Sequence, residues 1–64
     1  MEVYAKVGTG SQIKIRIRGL RKSPTKGKKI RFKNVFITYG EWQTGIIDDI
    51  KDMNGYTLYY VSLH

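Results

Sequence analysis

Two stretches of the chain alternate between apolar and cationic side chains. In QIKIRIRG, residues 12–19, Ile13, Ile15 and Ile17 interleave with Lys14, Arg16 and Arg18. Successive side chains of a strand point to opposite faces, so this spacing predicts a strand with isoleucines inward and cations outward. The pattern returns in KKIRFKN, with Ile30 and Phe32 inward and Lys29, Arg31 and Lys33 outward. Upstream, EVYAKVG predicts a short strand with Val3, Ala5 and Val7 on one face and Tyr4 and Lys6 on the other, turned at Gly8 to Gly10. Between the two cationic strands, LRKSPTKGK mixes Ser23, Pro24, Thr25 and Gly27 with Arg21, Lys22, Lys26 and Lys28 and reads as an exposed loop.

The third apolar segment runs from about Lys28 to Tyr39, but its phase slips near Asn34. Ile30 and Phe32 match one register, and Val35, Ile37 and Tyr39 the other. A β-bulge or sharp bend at Lys33 and Asn34 accounts for the slip. After a turn at Tyr39, Gly40 and Glu41, EWQTGIIDDI reads as a strand. Asn54-Gly55 is a two-residue hairpin signal before YTLYYVSL, which is rich in strand formers. The fold expected is all-β, a small, strongly bent five-stranded barrel or sheet. The alternative is α+β, with a short helix at about 45–53 packed on an antiparallel sheet. Thr44 would be its N-cap, Asp48 and Asp49 would sit near its positive end, Ile46, Ile47, Ile50 and Met53 would share a face, and Gly55 would stop it. Three Ile and three Asp have poor helix propensity, which favours strands.

A basic loop, the long bent segment KIRFKNVFITYG, a tight turn, then EWQTGIIDDI and YTLYYVSL as a closing hairpin follow one another in an order that resembles small β-barrels of the Src-homology-3-like, Tudor or KOW kind. The resemblance covers most of residues 11–63. It implies a barrel fold, and since members of these families bind nucleic acid, peptides or modified lysines, it does not choose among functions.

Charge narrows the choice. Eleven of the twelve basic residues lie between Val3 and Lys33, a window without an acid, and the chain carries a net charge of +7. Residues 34–64 hold only Lys51 against Glu41, Asp48, Asp49 and Asp52. Like charges on one sheet face repel, and a face that only needed solvation would carry mixed signs. The one-signed window points to a polyanionic partner, and arginine adds forked donors suited to phosphate. The candidate phosphate-binding residues are Lys14, Arg16, Arg18, Arg21, Lys22, Lys29, Arg31 and Lys33.

Sixty-four residues make one small basic domain, 1–64, with a thin core. Cysteine is absent and the single histidine is residue 64, so neither a disulfide nor a thiolate metal site is available, and no nucleophile and base pair is evident. Asp48, Asp49, Asp52 and Asn54 lack the order of a calcium loop, and Gly8-x-Gly10 lacks the rest of a dinucleotide fingerprint. No catalytic residue, metal or cofactor is expected. Neither a secretory signal nor an apolar membrane span is seen, and a cytoplasmic location is expected. The basic residues alternate at strand spacing and form no amphipathic helix, which argues against a membrane partner.

Eight aromatics accompany these charges. Phe32 is in phase with the core. Phe36, Trp42 and Tyr59 are the candidates for stacking on bases, although Trp42 is expected first as core, packed with Ile46 and the bent third segment. The leading function is a non-enzymatic nucleic-acid-binding module for DNA or RNA. The alternative is a small protein-binding modulator or inhibitor that docks its basic face on an acidic protein. A free strand edge also offers a route to a homodimer.

Overall fold

In the computed structural model, which describes residues 1–19 and 22–63, five strands form: β1 Glu2–Val7, β2 Ile13–Ile17, β3 Lys29–Lys33, β4 Gln43–Met53 and β5 Tyr56–Leu63. They pair in chain order and close into a barrel. Each sequential pair is antiparallel. With five strands alternating in direction, the first and last run the same way, so β1 and β5 close the ring as a parallel pair, with Tyr4 to Val7 beside Leu58 to Val61. The α+β alternative does not hold, because residues 45–53 lie within β4.

In β1, β2 and β3 the inward positions are those that the alternation predicts. Ala5, Ile15, Ile17, Ile30, Phe32, Ile47, Tyr59 and Val61 form the core cluster, with Val3, Val7, Ile13 and Ile50 packed against it. Phe32 sits at the centre, fully buried, and the chain opposite makes room for it. A Cβ on Gly45 would lie 2.9 Å from the Phe32 ring, 2.7 Å from a Val61 methyl and 2.9 Å from the Ser62 carbonyl. Glycine at 45 therefore fixes the phase of β4, with Gly45 and Ile47 inward and Trp42, Thr44 and Ile46 outward. A bulge between Ile47 and Asp49 shifts the register once more and returns Ile50 to the inner face opposite Tyr59.

YTLYYVSL, apolar on both faces, forms β5, which is bonded to β4 on one side and to β1 on the other. Tyr59 points into the core and is 5% exposed. This removes it from the candidates for stacking, since no ligand reaches its ring. Leu58, on the opposite side of the strand, is also buried. Its cross-strand neighbours are Tyr4 and Lys51, and Tyr4 packs edge-on against Tyr56 with ring centres 5.2 Å apart.

Two expectations are corrected. The third strand ends at Lys33, and residues 35–40 form successive turns in place of a bent extension. The loop before β3 is less open than its composition suggests. Pro24 is buried, the Gly27 N–H donates to the Ile47 carbonyl at 2.7 Å, and the Ile47 N–H donates to Lys28 at 2.9 Å. Leu20, Arg21 and His64 lie outside the described residues. Ring closure gives β1 and β5 partners and leaves Asp48–Met53 of β4 bonded on one side by β5. Asp48, Asp49, Lys51 and Asp52 put charge on that open edge, a common guard against edge-to-edge pairing.

Candidate nucleic-acid interface

β2 and β3 present their cations on the same outer surface. Arg16 pairs with Lys33 and Ile17 with Phe32, and the Arg18 N–H donates to the Arg31 carbonyl at 2.9 Å. Directly opposed residues of an antiparallel pair share a face, so Arg16 lies beside Lys33 and Arg18 beside Arg31. Lys14 and Lys29, two residues further along their strands, extend the row at its two ends. Lys14, Arg16, Arg18, Lys29 and Arg31 are exposed and Lys33 is half-buried. The one salt bridge among the described residues, Arg16 to Glu2 at 3.4 Å, joins side chains more than half exposed. An ion pair that open to water contributes little. Cation beside cation thus remains the character of the face.

Trp42 stands at the edge of this surface. The phase set by Gly45 turns it outward, which corrects the expectation of a core tryptophan packed with Ile46. Instead, Lys33 Nζ lies 4.7 Å and the Arg18 guanidinium 5.6 Å from its ring centre. Both are cation–π distances, so Trp42 supports two of the cations and offsets part of their repulsion. Next to the row, on β1, Tyr4 carries Lys14 at 5.2 Å, and farther round the barrel Tyr60 carries Lys6 at 6.0 Å and Lys51 at 5.2 Å.

Beyond Arg16 and Lys33 the two strands part, and Asn34 bridges them. Its side-chain NH₂ donates to the Lys14 carbonyl at 2.8 Å, where a further strand residue would otherwise bond. The opening is a groove of about 450 Å³ lined by Glu2, Lys14, Ile15, Arg16, Lys33, Asn34, Val35 and Gly40.

The same Asn34 organises the turns that follow. Its Oδ1 accepts from the Phe36 N–H at 2.7 Å and the Ile37 N–H at 3.2 Å, as an N-cap does. Its carbonyl accepts from the Thr38 N–H and the Thr38 hydroxyl, both at 2.9 Å, and its own N–H donates to Thr38 Oγ1 at 3.0 Å. Val35, Phe36, Ile37 and Tyr39 are left 66%, 81%, 42% and 86% exposed.

Of the residues expected to meet phosphate, the structure brings Lys14, Arg16, Arg18, Lys29, Arg31 and Lys33 together. Lys22 is exposed in the loop before β3, and Arg21 is outside the described residues. Phe36 is open to solvent and Trp42 half-buried beneath two cations. Sequence reasoning missed the exposure of Val35, Ile37 and Tyr39. The signal was Asn34 four residues before Thr38, a capping pair inside a run of strand formers. Among the described residues no group of His, Cys, Asp or Glu side chains converges as a metal site, and no helix is long and apolar enough to cross a membrane. Comparison with protein-family models, with curated proteins and with solved structures gives no match.

Proposed function

We propose that the protein is a non-enzymatic module that binds DNA or RNA by laying phosphates along the outer face of β2 and β3. The observation that carries this reading is the register of Arg16 beside Lys33, with Arg18 beside Arg31, in a sheet whose one ion pair among the described residues is a solvent-exposed one to Glu2. Repulsion between opposed cations is a cost to folding, and a polyanion is the partner that turns it into affinity. The arginine forks add donors matched to phosphate oxygens. Three of the four remaining acids support this division of labour, since Asp48, Asp49 and Asp52 are hydrogen-bonded within the β4–β5 region, away from the cationic face. A barrel of the Src-homology-3-like, Tudor or KOW kind and a cytoplasmic setting belong to the same proposal.

Direct titration tests it. Fluorescence anisotropy of labelled single-stranded and duplex oligonucleotides should show saturable binding at low salt, and protein purified at low salt should carry material absorbing at 260 nm that a high-salt wash removes. Absence of binding to either form rejects the reading.

A second reading has its own support in the exposed Val35, Phe36, Ile37 and Tyr39. An apolar patch beside a basic face also suits docking on an acidic protein. Under that reading, affinity capture returns an acidic protein in undiminished yield after nuclease treatment.

A further inference from the structure

Resting on the nucleic-acid reading, we infer that the loop from Val35 to Tyr39 is a stacking platform, and that the preferred ligand is a single strand whose phosphates follow the cations while its bases lie on Phe36 and Tyr39.

The loop is built, and what it builds does not serve the fold. Asn34 and Thr38 tie its backbone through the reciprocal bonds described above, and the Glu41 N–H closes a β-turn on the Thr38 carbonyl at 3.0 Å. The central residues of that turn, Tyr39 and Gly40, have φ of 54° and 80°. Positive φ at both positions is the signature of a type I′ turn, whose first central residue is ordinarily Asn, Asp or Gly. Tyrosine there is disfavoured by its own Cβ. Among the described residues Tyr39 is the only one other than glycine with positive φ, and it gains no burial in return, being the most exposed of the large apolar side chains. Phe36 is almost as open. A strained aromatic that packs against nothing, on a loop held fixed, is arranged for something outside the molecule.

The position of the loop says what that is. Val35 and Gly40 line the groove that Lys14, Arg16 and Lys33 also line, so the platform borders the phosphate face. Trp42 already carries cations on its ring and acts as a positioning residue for Lys33 and Arg18, which leaves Phe36 and Tyr39 as the free π-surfaces. A duplex keeps the faces of its bases stacked inside the helix, whereas a single strand offers them. Cations for the backbone next to unoccupied aromatic faces therefore fit single-stranded DNA or RNA better than either duplex.

The test compares oligonucleotides of about 12 units, within the span a small barrel covers, as single strand and as duplex, read by anisotropy for the wild type, Phe36→Ser, Phe36→Trp and Tyr39→Gly. The wild type is expected to bind the single strand about tenfold more tightly than the duplex, and Phe36→Ser to remove about tenfold of single-strand affinity, the value of one stacked base. Duplex affinity should not change, and Phe36→Trp should restore the loss. Tyr39→Gly should weaken single-strand binding while keeping or raising Tm, because glycine takes positive φ without strain. Equal affinity for the two forms, or unchanged single-strand affinity in Phe36→Ser and Tyr39→Gly, overturns the platform and leaves the phosphate-binding proposal standing. Parallel loss of duplex affinity in Phe36→Ser, or a lowered Tm in Tyr39→Gly, overturns it too, by showing that these side chains serve the phosphate face or the fold. Failure of the wild type to bind either form removes both proposals.

Discussion

The β2–β3 face and the β4–β5 hairpin use charge in opposite ways. In the hairpin, the longest pairing of the barrel, acids bond to neighbours: the Ser62 hydroxyl donates to Asp48 at 3.1 Å, the Thr57 hydroxyl to Asp52 at 3.3 Å, and the Ile50 N–H to Asp49 at 2.9 Å. Charges there finish a strand edge and a bulge. On β2 and β3, where the register gives just two directly opposed pairs, cation faces cation, and the one ion pair among the described residues, Arg16 to Glu2, is exposed. Charges that complete local hydrogen bonds stabilise the hairpin, whereas the opposed cations of β2 and β3 repel one another and give the fold no such support. The contrast separates charges bonded within the fold from charges free to meet the proposed phosphates, on a barrel whose inner face supports both.

The comparison breaks first if the inner face is wrong. Phe32→Ser and Ile15→Ser should each unfold the protein, because emptying a fully buried aromatic or branched site costs about 3–5 kcal/mol, roughly all that a core of this size supplies. Loss of the cooperative thermal transition and of β circular dichroism checks this. A folded Phe32→Ser variant would mean that the faces are assigned backwards. Next in size is Gly45→Ala. Its methyl would meet the Ser62 backbone carbonyl as well as Phe32 and Val61, and overpacking of this kind costs about 1–3 kcal/mol. Thermal denaturation should show a fall in Tm, and an unchanged Tm would show that glycine does not set the phase of β4.

The cationic face should respond in the other manner. Arg16→Glu combined with Arg31→Glu is expected to leave stability within about 1 kcal/mol of wild type, since the glutamates then face Lys33 and Arg18 and the lost Glu2 pair is exposed, while nucleic-acid affinity falls at least tenfold, or about 1.4 kcal/mol. Circular dichroism and anisotropy on the same sample separate the two effects. An unfolded double variant would place these side chains among the fold's supports. Smallest of all, Asp49→Asn should move stability by less than about 0.5 kcal/mol, as surface substitutions do. It should leave binding unchanged, and a loss of affinity would erase the distinction between the two regions.

Most of this division was legible in the chain itself. Strict alternation in β1, β2 and β3 assigned both faces, because a strand's period of two leaves no other way to bury the isoleucines with Phe32. Asn54-Gly55 marked the hairpin. What could not be read were features decided by single contacts across the barrel. Ile46 and Ile47 are adjacent and equally apolar, so only the Cβ-free site that Phe32 requires at Gly45 tells which points inward, and Trp42 follows that choice. Val35 to Tyr39 are strand formers by propensity, yet two Asn34 side-chain bonds turn them aside, and local hydrogen bonding of this sort outweighs β-propensity. Pro24 is buried through tertiary contact that loop composition does not encode. The six clustered cations were found because their signal is periodic. The exposed Tyr39 was missed because its signal, a tyrosine where a type I′ turn ordinarily takes Asn, Asp or Gly, appears only once the turn is known.

The dependence of affinity on salt tests the central claim most directly. If the β2–β3 face contacts about five phosphates, log affinity should fall against log salt with a slope near −3.5 on a single strand and near −4.5 on a duplex. In the Arg16→Glu and Arg31→Glu double variant the slope should be shallower by about two phosphates' worth. A wild-type slope near zero, or one that the double variant leaves unchanged, would contradict the assignment of the cationic face as the phosphate-binding surface.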